Sequence, residues 1–224
     1  MLKRIALISM TLDHIGVILI EPLIGSGLSF TSFEKTYYLW TIIYWFFRLI
    51  GRLAFPLFAF ALVEGFTHTR NRYHYLSRLV VFAVLSQPFF AMALDGSYIS
   101  LNHLNIFFTL ALGIITMLLF ERTKDQPLFL RLGLVVAFAF LAEISNMDWG
   151  WLGIALIFGI YYFRQQPIYQ FLVVVVLGSF QLTAPIAALL IQRYNGERGK
   201  VNKYFHYFYY PLHLFILTSL TKLN

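Results

Sequence analysis

The chain has 224 residues, 59% hydrophobic, 19% aromatic and 12% charged, with a net charge of +7 and no cysteine. A soluble domain carries about 25% charged residues, so this composition points to a membrane protein and argues against a water-soluble domain. Without cysteine there is neither a disulfide framework nor a thiolate metal site.

The first apolar run, Ile5 to Ile20, holds Asp13 and His14 side by side at its centre. A central Asp costs roughly 2.5–3.5 kcal/mol on insertion-type scales, and a simple anchor would carry leucine there. No small-residue cleavage site closes the run, so it is expected to be a retained first span. An ionisable pair at that depth is a functional-site candidate, here an acid–base couple. The competing reading is a polar contact that helps helices pack.

The second segment, 40–66, contains Arg48 and Arg52, which a helix stacks on one face because they are four apart. Such guanidiniums snorkel to the interface, pair with carboxylates such as Asp13, or grip an anion through their planar forks. Arg48 suits snorkelling better than Arg52. Pro56 deprives the Arg52 carbonyl of its helical donor and predicts a kink. Glu64 and His68, with Arg70 just beyond, fit a solvated helix end as well as a site.

Further apolar segments follow at 76–94, 103–120, 128–144, 149–163, 168–192 and 204–221. The loops between them are short and often hold Gly or Pro, leaving no room for a soluble domain. The expected fold is an all-α polytopic membrane bundle of about eight segments, one unit over residues 1–224. Its remaining polar spots are Asn102–Asn105 with Thr109, Asn146 with Asp148, Asn195–Gly199, and Tyr210 with His213. The Asn195–Gly199 loop could offer backbone N–H groups and Arg198 to a phosphate, or be a plain turn. His213, alone within the last span, reads as a hydrogen-bonded packing residue.

Lys and Arg fall in every second loop, which predicts a cytoplasmic N-terminus. Segment 168–192 breaks the alternation, since a single crossing would put the basic loop at 193–200 outside. Gly178, Ser179 and Pro185 are expected to split that segment into two short arms, returning the loop to the cytoplasm. The +7 charge therefore orients helices and does not call for a nucleic-acid partner. No P-loop, Gly-x-Gly-x-x-Gly, Gly-x-Ser-x-Gly or His-Glu-x-x-His motif occurs, and the six histidines have no zinc spacing. What remains is an intramembrane acid–base pair and several arginines suited to an anion. That fits proton abstraction with group transfer, and equally a proton-coupled transporter.

A series of stretches resembles the TraX family, membrane proteins tied to N-terminal acetylation of conjugative pilin. They are Met10–Gly16, Arg48–Phe60, Val63–Asn71, Asn105–Leu110, Asp148–Gly150, Tyr194–Gly199 and Lys203–Leu214, in order along nearly the whole chain. The resemblance implies an inner-membrane acetyltransferase using acetyl-CoA as co-substrate, with no permanently bound cofactor or metal and with pilin or another envelope component as acceptor. Carried onto this chain, His14 becomes the general base with Asp13 as its orienting or charge-balancing partner. Arg48, Arg52, Arg198 and Asn195 become the donor-binding candidates, holding CoA phosphates or the oxyanion. Glu64, His68, Asn105, Asp148, Tyr210 and His213 complete the candidates. A proton-coupled transporter or flippase and a non-enzymatic assembly factor are the competing classes; an internal inverted repeat, which would favour a transporter, is not visible.

Overall fold

The computed structural model describes residues 1–25, 34–178, 183–196 and 203–221, and among these the regular structure is helical. The elements are α1 (Leu2–Ile15), a π-turn (Gly16–Ile20), α2 (Glu21–Gly25), α3 (Glu34–Gly51), α4 (Ala54–His68), α5 (Arg72–Asp95) and α6 (Ile106–Arg122). They continue with α7 (Leu128–Ile144), α8 (Gly150–Tyr162), α9 (Pro167–Leu177), α10 (Ala184–Gln192) and α11 (Lys203–Thr221). Among the described residues, three stretches are long and apolar enough to cross a membrane: Leu2–Ile24, Tyr37–His68 and Arg72–Asp95. Gly150–Tyr162 and Pro167–Leu177 are shorter apolar helices, so a count of eight full crossings is not established.

The helix breaks follow from local chemistry. Pro56 has no N–H to give the Arg52 carbonyl, and the chain turns at Arg52–Leu53 between α3 and α4. Asn71 and Asn105 cap α5 and α6 by accepting from the His74 and Phe107 backbone N–H groups. Segment 168–192 is broken, as expected: α9 ends at Gly178, which lies against Ala184 at the start of α10.

Helices α4, α6 and α8 form the interior, with Leu57, Val63, Phe66, Ile114, Met117, Ile154 and Ile157 almost wholly buried. Many large apolar side chains face outward, among them Val84, Val136, Phe140 and Leu212. A water-soluble protein would not leave such faces open; lipid is the solvent that suits them. The direction of the helices gathers the 69–71, 123–127 and 163–166 connections at one end. There lie Arg70, Arg72, Arg122, Lys124, Arg131 and Arg164.

A buried acid–base cluster as candidate functional site

Towards the opposite end, α1 packs against α3, α4 and α11. The π-turn opens immediately after His14 and Ile15, a backbone irregularity often found at functional sites. A small cavity of about 60 Å³ lies here. Its walls include Asp13, His14, Arg52, Phe55, Asp148 and Tyr210. Residues from α1, the α3–α4 break, the α7–α8 connection and α11 thus converge on one space.

His14 and His213 form the centre. His14 Nδ1 lies 2.6 Å from His213 Nε2, and His213 Nδ1 lies 2.9 Å from the Tyr209 carbonyl oxygen. A carbonyl only accepts, so His213 Nδ1 carries a proton. In the neutral ring, His213 Nε2 then accepts from His14 Nδ1–H. That leaves the lone pair of His14 on Nε2, the form required of a proton acceptor. The His14 and His213 rings lie nearly coplanar, edge to edge, with centroids 4.9 Å apart at 17°, as a hydrogen bond between ring nitrogens requires, and the Tyr209 ring lies near-parallel to His213 at 5.3 Å. Tyr209 is anchored in turn by a 2.7 Å hydrogen bond between its hydroxyl and that of Thr11.

The imidazole's partner is therefore His213 and not Asp13. Consecutive residues on a helix diverge by about 100°, so neighbours in sequence do not face each other. Asp13 turns instead to α3, where its Oδ2 accepts from Arg48 Nη1 at 2.8 Å. Arg48 accordingly points to a carboxylate and does not snorkel. The close approach depends on Gly51, because a Cβ there would land on the Asp13 side chain. Asp13 Oδ1 is buried without a hydrogen-bond partner. Arg52 lies within electrostatic reach of Asp13 and Asp148, so two guanidiniums and two carboxylates balance around the cavity.

Asp148 comes from a connection that is itself under strain. Asn146 and Trp149 both hold positive φ, 47° and 69°, and Gly150 follows at 43°. For non-glycine residues this left-handed conformation costs of order 1–3 kcal/mol and tends to cluster at active sites. The Trp149 ring, 4.1 Å from Phe55 and stacked on it, and the Thr109 hydroxyl, donating to the Asp148 carbonyl at 2.5 Å, hold the connection in place. The Tyr210 hydroxyl is buried beside the Ile106 backbone N–H, a group that only donates, so the hydroxyl proton is left to donate. The unpaired Asp13 Oδ1 and the Tyr210 hydroxyl thus belong to residues lining the same cavity.

Other candidates lie elsewhere. Glu64 and His68 form an i,i+4 pair at 3.8 Å with the His68 side chain 76% exposed, a solvated end of α4. Asn105 is fully buried but structural: besides capping α6, its Nδ2 donates to the Ala83 carbonyl and to Gln87 Oε1. Asn195 is exposed beyond α10 and does not line the cavity. Arg198 lies outside the described residues. His213, a secondary candidate that the sequence favours as packing, is brought to His14 from 199 residues away. The i,i+4 spacing of Tyr209 and His213 marks an aromatic–imidazole face on α11 but says nothing of its partner.

Fold and cluster together define a helical, membrane-type protein with acidic and basic side chains gathered, half-buried, among its helices. The profile described as "TraX protein" matches residues 1–221, and the chain belongs to the TraX family. It is also 30% identical over 248 residues to a protein of Dichelobacter nodosus named "Probable fimbrial assembly protein FimC, serogroup H1". That match covers 97% of this chain and 93% of the relative. No solved structure matches.

Proposed function

We propose that the chain is an acyltransferase of the bacterial inner membrane, N-terminus cytoplasmic, that moves an acetyl group from acetyl-CoA to an amine or hydroxyl of a pilin or envelope acceptor. The observation that carries this reading is the chain from the Tyr209 carbonyl through His213 to His14, which leaves His14 Nε2 able to take a proton. The fimbrial assembly named for the relative supports a pilus-related acceptor.

In this reaction His14 Nε2 removes a proton from the acceptor nitrogen or oxygen, which attacks the thioester carbonyl carbon. The carbonyl oxygen takes up negative charge, which Arg52 and the Tyr210 hydroxyl, both lining the cavity, stabilise in this reading. The carbon–sulfur bond then breaks, and the imidazolium returns its proton to the leaving CoA sulfur. Asp13, held by Arg48, and Asp148 balance the positive charge that builds on the ring.

The test is transfer of labelled acetyl from acetyl-CoA to a pilin N-terminal peptide by the reconstituted chain, with donor binding measured separately. Arg52→Leu should abolish transfer, and Arg52→Lys should restore only part of it, because an ammonium lacks the bidentate fork. Absence of transfer by the wild-type chain to any amine or hydroxyl acceptor, donor binding being intact, overturns the reading and favours an assembly role without chemistry.

A further inference from the structure

A second cavity, of about 430 Å³, lies at the basic end of the bundle, lined by Phe120, Glu121, Lys124, Arg131, Tyr161, Tyr162 and Arg164. The length of α6, roughly 25 Å at 1.5 Å per residue, separates it from the His14 cavity. Three cations line it against one carboxylate. That carboxylate is already occupied: Glu121 pairs with Arg72 and accepts from the Tyr161 hydroxyl at 2.6 Å. Among the described residues no carboxylate lies within ion-pair distance of Lys124, Arg131 or Arg164.

The two arginines are held ready. The Arg131 guanidinium sits 3.8 Å over the Phe120 ring and donates from Nη2 to the Phe120 carbonyl, while its buried Nε has no partner. Arg164 sits 4.3 Å over the Tyr161 ring and donates from Nη1 to the Tyr161 carbonyl. Stacking on rings fixes the planar forks and spares rotamer entropy on binding, the arrangement suited to phosphate. Uncompensated guanidiniums around a roomy pocket call for an anion with several acceptor oxygens.

We propose that this pocket binds a phosphate group, gripped by Arg131 and Arg164 with Lys124 closing the exposed side. Two sources share that chemistry: the headgroup of an anionic phospholipid drawn from the adjacent leaflet, and a phosphate carried by a soluble ligand. The site stands apart from acetyl transfer, and its test reads binding alone.

The intact chain is placed in nanodiscs of phosphatidylcholine with and without phosphatidylglycerol, and in a parallel arm is titrated with inorganic pyrophosphate in neutral detergent. Retention of phosphatidylglycerol by native mass spectrometry identifies the lipid source; saturable quenching of tyrosine fluorescence by pyrophosphate identifies the soluble one. In the arm that binds, Arg131→Gln with Arg164→Gln should weaken binding roughly tenfold or more, the worth of a lost charge-assisted contact. Lys124→Glu, at an exposed position that no ring covers, should weaken it without touching the fold, as a monodisperse elution profile checks. Binding of neither probe, or equal binding by Lys124→Glu and the wild type, overturns the proposal.

Discussion

Asp13–Arg48 and Glu64–His68 look alike on paper, each an acid and a base in an apolar stretch of the first seventy residues. In the fold they are opposites. The first is a 2.8 Å ion pair between helices with side chains only 22% and 19% exposed; the second spans 3.8 Å on one helix with His68 open to its surroundings. A charge removed from water must be matched by a partner, whereas one at a wet helix end is nearly indifferent to its neighbours. The pairs therefore differ in what breaking them does, and His14, adjacent to the first, inherits the dry environment.

The largest effect is expected at His14. Its change to Ala should lower turnover by roughly 10²–10⁴, the usual worth of general acid–base catalysis, with acetyl-CoA binding kept. His213→Ala should act through the orientation and basicity of His14, so turnover falls less and the pH–rate profile moves. An unmoved profile assigns His213 to packing alone. Next in size is Asp13→Ala, which strands the Arg48 charge and should cost about 2–3 kcal/mol, somewhat below a fully buried pair. Thermal unfolding in detergent measures it, and Asp13→Asn with Arg48→Gln should recover part of the loss. Gly51→Ala should cost about 1–3 kcal/mol, because its new methyl falls on Asp13 and forces α1 from α3. Smallest is Glu64→Gln, which should change stability by less than about 0.5 kcal/mol. A cost there comparable to that of Asp13→Ala would erase the distinction between the two pairs.

Much of the helical layout was legible because apolar runs of bundle length, Pro56 and the Gly178–Pro185 interruption each act locally. That His14 belongs to a polar cluster was legible too, since an imidazole beside a carboxylate in an apolar run needs polar partners. Its partner was not. Asp13 is next in sequence but turns to α3, and His213 arrives from the far end of the chain through packing that no local pattern records. The π-turn and the left-handed Asn146 and Trp149 were hidden for a related reason: tertiary contacts hold them against the local preference of their residues.

The broken hairpin of α9 and α10 has a consequence for the lipid around it. Its arms have 11 and 9 residues, roughly 16 and 14 Å of helix, against a hydrocarbon layer of roughly 30 Å. Ile168, Tyr169, Leu172 and Val176 nevertheless present an apolar outer face. Neither arm can bridge the layer, so the bilayer beside them must thin or fold beneath them, at an elastic cost that rises with its thickness. Acyl-chain length thereby becomes a determinant of this protein's stability, with shorter-chain bilayers expected to hold it at the higher melting temperature.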